Sequence, residues 1–500
     1  MRSGKGKPWN FTRRGFLAGF GTGALTIGFW NRSTTSPSAL MSDHVSRGLF
    51  LNDASELSLT PVWKNLTTQD VPMPLDSFIS ATIASAAAEG RCVIGSAARH
   101  SMGGQSLAKE GLTITMDDER IQIDETTMRY RVSGGTRWKA VISALDARGY
   151  SPAVMQSNND FGVAATFCVN AHGWPVPYSG CGSTVRSVDM ILANGRKIRA
   201  SREEEPELFK AAMGGYGLFG IITSLELDMV KNKRLVPTFE RVSGDAFGPR
   251  FSNIIKSDNH VVMAYGRLDV THDHFFENAL AVTYRPTSDQ DTLPVVVGSG
   301  IMSKVSRPIF RSQVDNERMK KARWWMETEI GPRLGNGHAT RNTLLNEPVI
   351  TLDDQDPTRT DILHEYFISP SRLHEFLKVC KDVIPNSYQQ LLNITLRFVS
   401  ADRESLLSYA PEDRISAVML FSQEKSARAE ADMVRMTRLL VDGALSSGGS
   451  YYLPYRLHAT QEQFEAAYPR AHEFIALKKK LDPEERFSNG LWTTYLKGLT

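Results

Sequence analysis

The chain has 500 residues, 41% hydrophobic and 23% charged, the composition of a globular protein of two or three domains. A formal net charge of +3 with no basic stripe argues against nucleic acid as a partner. Cys92, Cys168, Cys181 and Cys380 show no C-x-x-C spacing, so they read as buried free thiols rather than a zinc site or disulfide framework.

The N-terminus is basic at Arg2, Lys5 and Lys7. Thr12-Arg-Arg-Gly-Phe-Leu17 follows, and then an uncharged, Gly-rich stretch to Trp30. Twin arginines before such a stretch resemble a twin-arginine export signal. That route carries folded proteins, which implies a cofactor acquired before export and a periplasmic or extracellular destination. A membrane anchor is the competing reading, but the stretch is short for a bilayer span. Ser36-Pro-Ser-Ala39 offers small residues without a clean cleavage site, and a polar linker is expected from Asn31 to about Ser55. No other segment approaches spanning length, so no membrane contact is expected beyond the signal.

Leu75 to Gly90 reads as a helix with Phe78, Ile79, Ile83 and Ala86 on one face. Cys92 to Ile94 reads as a buried strand that breaks into a loop of small residues around His100. Gly95, Gly103 and Gly104 allow close approach and positive φ there, and successive amides in such a turn form a nest for an anion such as a pyrophosphate. Leu112 to Met116 and Ile121 to Ile123 alternate as a half-buried hairpin would. Arg129 to Ser133 is a strand, and Trp138, Val141, Ile142 and Leu145 recur at helical spacing. Val188 to Leu192 and Lys197 to Ala200 flank the turn signal Asn194-Gly195. A helix starts at Pro206.

Two further glycine-bearing runs, Gln156 to Gly173 and Gly214 to Thr223, couple small residues to strands. None matches G-x-G-x-x-G between a strand and a helix, and no G-x-x-x-x-G-K-[ST] occurs, so neither a Rossmann fold nor a P-loop is indicated. From about residue 232 glycine thins out. Met319 to Glu329 and Pro370 to Val383 read as helices, Arg359 to Ile368 and Leu391 to Val399 as strands. A helix over Phe464 to Lys480 ends at Asp482-Pro483.

Asn170-Ala-His-Gly-Trp174, Gly180-Cys-Gly-Ser-Thr-Val-Arg-Ser-Val-Asp189, Glu207-Leu-Phe209 and Gly214-Gly-Tyr-Gly-Leu-Phe-Gly-Ile-Ile-Thr223 stand in an order that carries a resemblance. Together they resemble the FAD-binding PCMH-type (vanillyl-alcohol oxidase / p-cresol methylhydroxylase) superfamily. The similar branch holds the aldonolactone oxidases, including D-arabinono-1,4-lactone oxidase, the alditol oxidases and decaprenylphosphoryl-ribose oxidase. Tyr468-Pro-Arg470 and Lys480 to Phe487 extend the likeness to the C-terminus. The resemblance implies an α+β, two-lobed fold. An export signal and linker would occupy 1–55, an FAD-binding domain 56–231, a substrate (cap) domain on an antiparallel sheet 232–450, and a segment returning to the FAD domain 451–500.

The loop Arg99-His100-Ser101 is similar to that of alditol oxidases and cytokinin dehydrogenases, where the histidine is bonded to FAD. The resemblance therefore implies covalent flavin through His100. It places the cofactor along Gly95, Ser96, Ala97, Ala98, Arg99, His100, Ser101, Met102, Gly103, Gly104 and Gln105. Gly135, Thr136, Gln156, Asp160, Gly162, Thr166, Gly173, Gly220, Ile221 and Ile222 would line the rest.

Glu365, in His364-Glu-Tyr-Phe367, matches a strand from which a glutamate reaches the substrate in alditol oxidases. Arg397 lies in an alternating apolar strand, where a charge is unexpected unless paired. Beside Glu365 it would lower the carboxyl pKa. The related branches carry a lysine where this chain has Tyr452-Leu-Pro-Tyr-Arg-Leu-His458. Tyr455 is taken as the catalytic group there, with Arg456 as the other candidate. His172, in its backbone turn, is not assigned as the base.

The implied activity is that of an exported oxidase or dehydrogenase taking hydride from a CH–OH group of a polyol, sugar or aldonolactone. Its electron acceptor would be O2 or a respiratory carrier. Cytokinin-dehydrogenase-like oxidation of a C–N bond is the alternative enzyme, and a non-catalytic flavin-binding export protein the alternative of another class.

Overall fold

A computed structural model describes residues 49–69, 71, 73–291, 293, 296, 310–334, 339–347 and 356–499. The twin-arginine stretch and most of the expected linker lie outside the described residues. The end of that linker does not. Leu49–Leu51 pairs antiparallel with Thr60–Val62, and Asp53 and Ser55 between them are buried. The chain is therefore anchored from Leu49 on, because Asp53 caps a neighbouring loop and does not face water.

The first half builds two sheets. Lys64–Thr67, Leu112–Thr115 and Val93–Ser96 form a three-stranded parallel sheet, and the helix Leu75–Ala88 buries Ile79, Ile83 and Ala86 in one apolar cluster with Val93, Leu112 and Ile114. A six-stranded antiparallel sheet orders Lys197–Ser201, Val185–Ile191, Ile221–Lys231, Arg129–Ser133 and Ile121–Asp124, with Tyr150–Pro152 added on the long Ile221–Lys231 strand. The expected hairpin over 112–123 is therefore wrong. Its two strands belong to different sheets: Leu112–Thr115 is buried between parallel neighbours, and Ile121–Asp124 pairs with Arg129–Ser133. Alternation shows that a strand has an inner face, but it does not select the partner.

The second half is organised on one eight-stranded antiparallel sheet. Its order is Ala339–Thr340, Arg234–Ser243, Asn278–Pro286, Met263–Leu268, Gln390–Val399, Arg414–Glu424, Arg359–Ile368 and Ser450–Tyr451. Helices Gly244–Ser257, Leu373–Val383 and Ala427–Ser446 pack on its back. The expected helix over 319–329 is α-helical only to Trp325 and continues as a π-turn over Met326–Ile330. The expected helix over 464–480 is two helices, Gln461–Ala467 and Ala471–Leu481. Pro469 excludes its predecessor from the α region, so the break falls at Tyr468.

The C-terminus packs on the first half. Val93 N–H donates to the Arg486 carbonyl (2.6 Å), and Asn489 Nδ2 donates to the carbonyls of Gln105 and Tyr216 (2.9 Å each). The fold is α+β with two lobes, each resting on an antiparallel sheet.

Candidate active site

A cleft lies between the lobes, lined by residues of both. One wall is Gly95 to Met102 with Gln105 and Ser106. A second is drawn from 156–172 and 216–222. The large sheet supplies Leu363, Glu365, Arg397 and Val418, and the turn after it Tyr452, Pro454 and Tyr455.

The glycine loop leaves polar atoms waiting for a ligand. Ser96 Oγ, Arg99 Nη1, His100 Nε2 and Ser106 Oγ are buried without a hydrogen-bond partner, and all four residues line the cleft. Such groups are costly unless a ligand satisfies them. Arg99 also holds φ at +55°, a strained conformation for a residue with a side chain. The segment before the loop braces it. Ala54 N–H donates to the Arg99 carbonyl (3.0 Å), and Gly104 N–H donates to Asp53 Oδ2 (2.8 Å). His100 stacks on Phe161 with ring centroids 4.2 Å apart. Burial, reinforced by the nearby Arg137 charge, pushes its imidazole down to about 3, so it is neutral with a free lone pair.

Of the sequence-derived cofactor residues, Gly95 to Met102, Gln105, Gln156, Gly162, Thr166 and Gly220 to Ile222 lie on the cleft wall. Six do not, each for a local reason except Asp160, whose absence from the wall has no evident one. The amides of Gly103 and Gly104 are already taken by Gln105 Oε1 and Asp53, so the anion nest is shorter than the glycines suggest. Of the three loop glycines expected at positive φ, only Gly104 adopts it (+72°). Gly135 packs against the Asp117–Asp118 backbone, and its neighbour Gly134 reaches the cleft instead. Thr136 is buried against Ser133 Oγ (3.1 Å). At Gly173 an added Cβ would lie 1.9 Å from the Met155 carbonyl oxygen, so this glycine serves packing.

Glu365 is the centre of the opposite wall. Its Oε1 lies 2.5 Å from His172 Nε2 and accepts from Ser416 Oγ at 2.5 Å. Its Oε2 accepts from the Tyr455 hydroxyl at 3.2 Å. Both Glu365 and His172 are buried. Burial alone would raise the Glu365 carboxyl, but His172, Arg397 and Ser416 outweigh it and hold it below the usual carboxylate range. Burial pushes the Tyr455 phenol well up, so it stays a donor.

Arg397 forms no ion pair with Glu365. It donates to Ser157 Oγ (2.7 Å) and the His172 carbonyl (3.4 Å). Arg456 points away to Glu430 (2.5 Å), so Tyr455 is the inward residue of the pair. Sequence reasoning set His172 aside. Its partner lies 193 positions away, and nothing local announces the pairing. Tyr452, Tyr216, Phe161 and Asn158 also line the cleft without a sequence signal that singled them out.

Residues 77–201 match the family model described as an FAD binding domain. The chain is 29% identical over 141 residues to a protein named putative D-arabinono-1,4-lactone oxidase from Neurospora crassa, covering 28% of this chain and 23% of the relative. It is 26% identical over 220 residues to cytokinin dehydrogenase 2 of Arabidopsis thaliana, covering 42% and 43%. It is 27% identical over 177 residues to alditol oxidase of a Streptomyces species, covering 35% and 40%. These matches span less than half of each relative's length. The fold is similar to that of 6-hydroxy-D-nicotine oxidase from Arthrobacter nicotinovorans, with a TM-score of 0.59 and 14% identity over 88% of this chain and 96% of that one. The unpartnered polar atoms of the glycine loop fit such a cofactor: the chain carries an FAD-binding domain, with FAD as its cofactor, and is similar to oxidases and dehydrogenases of the PCMH-type (vanillyl-alcohol oxidase / p-cresol methylhydroxylase) superfamily.

Proposed function

We propose that the protein is an FAD-dependent oxidoreductase that oxidises a CH–OH group of a polyol, sugar or aldonolactone. The observation that carries this reading is the buried pair Glu365–His172, 2.5 Å apart on the cleft wall with Tyr455 on the second carboxylate oxygen. FAD, when bound, supplies the hydride acceptor. The remaining work is proton transfer and orientation, and it falls to the chain. As the C–H bond gives up its electron pair and the C=O bond forms, the hydroxyl proton passes to the Glu365–His172 pair. Ionised Glu365 fixes the imidazole through Nε2 and leaves Nδ1 buried and without a partner, on a residue that lines the cleft. Ser416 and Tyr455 hold the carboxylate in place, and His172, then Arg397, favour its ionised form against burial.

The same reading assigns His100 as the covalent anchor of the flavin, through a neutral imidazole whose Nε2 has no other partner. It assigns Arg99 and the Gly95 to Ser101 loop to the diphosphate. The N-terminal sequence supports export by the twin-arginine route to the periplasm or beyond, with O2 or a respiratory carrier as electron acceptor. Among the described residues no helix is long and apolar enough to cross a membrane. The cytokinin dehydrogenase match keeps C–N oxidation as a second reading. Anaerobic bleaching of the holoprotein's flavin by a polyol, sugar and lactone panel, against an amine panel, separates the two. Bleaching by amines alone overturns the first, and bleaching by neither supports a non-catalytic flavin protein.

A further inference from the structure

Three guanidinium groups are buried under the inner face of the large sheet, with two carboxylates to meet them. In strand register Glu365 lies opposite Val418, Val418 opposite Thr395, and Thr395 opposite Arg267. These four therefore share one face of the sheet, and Arg397, two residues on from Thr395, shares it too.

Arg323 comes in from the helix above and is fully used. It donates to Glu327 (2.9 Å), Asn393 Oδ1 (2.6 Å) and the Leu392 carbonyl (2.7 Å). Arg267 and Arg397 are different. Arg267, 2% exposed, donates to Thr395 Oγ1 and stacks over Tyr265, and its Nη2 is buried without a partner. Arg397, 6% exposed and on the cleft wall, has its Nε buried without a partner. Neither hydrogen-bonds a carboxylate. Glu327 is bonded to Arg323, and Glu365 to His172, Ser416 and Tyr455. Arg323 and Arg397 both repel the Arg267 charge, and Glu327 is the carboxylate that offsets them, with Tyr265 beside it. Buried atoms without partners nearby include the donors Asn158 Nδ2 and Trp174 Nε1 and the acceptors Asn159 Oδ1 and His172 Nδ1, and Trp174 stacks on Tyr265 at 4.7 Å.

Among the described residues on this face, the three guanidinium groups Arg267, Arg323 and Arg397 thus outnumber the two carboxylates Glu327 and Glu365 by one positive charge. A buried cation left uncompensated is strongly unfavourable, and a ligand that brings the missing charge relieves it. A neutral polyol satisfies the donors but not the charge. A phosphate monoester brings about two negative charges at neutral pH and exceeds the deficit. A single carboxylate matches it and suits the planar guanidinium fork.

We infer that the substrate carries a carboxylate: a hydroxy acid, such as an aldonate, whose carboxylate is received by Arg397 with Arg267 behind it and whose hydroxyl faces Glu365 and His172. The inference rests on the CH–OH reading and narrows it to an anionic member of that class.

The test uses the holoprotein under anaerobic conditions with matched pairs of compounds of equal carbon number, gluconate against sorbitol and glycolate against ethylene glycol. In at least one pair the acid is expected to bleach the flavin with kcat/KM at least thirtyfold above the alcohol. Arg267→Gln is expected to raise KM for that acid about tenfold with flavin content unchanged, and Arg267→Lys to restore most of the loss. Should Arg267→Gln fail to fold, the wild-type pairs and Arg267→Lys still decide. Alcohols that match or exceed their acids in every pair overturn the inference while leaving the CH–OH reading intact. If neither member of any pair bleaches and amines do, the CH–OH reading fails. Carboxylate binding is then read alone, as perturbation of the flavin spectrum by acetate and gluconate, and no perturbation overturns the inference as well.

Discussion

Glu365→Gln isolates the charge at the centre of the site from its shape. The glutamine keeps a carbonyl oxygen that can accept from His172 Nε2 and Ser416 Oγ, now at 2.5 Å each from Glu365 Oε1. Its amide nitrogen would face the Tyr455 hydroxyl, at present 3.2 Å from Oε2, which can turn to accept. The hydrogen-bond count survives, so the folding cost stays near 1 kcal/mol. What disappears is the anion that fixes the imidazole and stabilises the proton it gains. A positioned acid–base group contributes about 10²–10⁴-fold, so the step is expected to slow by that factor, about 3–5 kcal/mol in the barrier. The assay is the rate of anaerobic flavin bleaching at saturating substrate, with thermal midpoint and flavin content as controls. The loss should appear in the bleaching rate and not in KM alone. A variant that bleaches within threefold of wild type would refute the assignment of the proton to this pair.

Other predictions follow from the same contacts. His100→Ala should leave the flavin in the supernatant after acid precipitation, whereas wild type should keep its yellow colour in the pellet. Flavin released equally from both overturns the covalent assignment. Because the Glu365 carboxyl is held below its unfolded range, its stabilising contribution is present above the unfolded value of about 4.3 and is lost as pH falls through the lower folded value. The stability gap between wild type and Glu365→Gln, from urea unfolding, should therefore be flat above about pH 5 and close on acidification. Gly173→Ala puts a Cβ 1.9 Å from the Met155 carbonyl oxygen. About 1–3 kcal/mol of stability should be lost, and bleaching should slow because His172 is displaced. Lys478→Met strands the buried Asp482 carboxylate, whose oxygens accept from the Arg486 and Phe487 amides (2.9 Å each). A loss of about 3–5 kcal/mol is expected in urea unfolding, and a loss below 1 kcal/mol would contradict the reading of that pair.

The glycine loop and the strand pair bearing Glu365 and Arg397 were legible because each breaks a local rule. Small residues interrupt a strand at 95–104, and charges sit in apolar alternation at 365 and 397. What joins distant parts was not legible. His172 looks like a turn residue until the large sheet brings Glu365 to it. Asp53 looks like linker until its carboxylate meets the Gly104 amide. The hairpin over 112–123 failed because alternation fixes a strand's faces and not its neighbour. The unbroken helix over 464–480 failed because apolar spacing was allowed to outweigh Pro469. Five of the six predicted cofactor residues off the cleft wall show the converse. Gly103, Gly135 and Gly173 are small because atoms crowd against them, Gly104 serves a turn at positive φ, and Thr136 is buried for its own hydrogen bonds.

The central claim is that FAD in this cleft takes hydride from a CH–OH carbon whose proton goes to Glu365 and His172. Its most direct measurement is the visible spectrum of the anaerobic holoprotein during titration with polyols, sugars, aldonolactones, hydroxy acids and amines. The account predicts that a hydroxyl compound bleaches the flavin stoichiometrically, and that the same compound bleaches Glu365→Gln at least a hundredfold more slowly. Bleaching by an amine alone, or equal bleaching of wild type and Glu365→Gln, would contradict it.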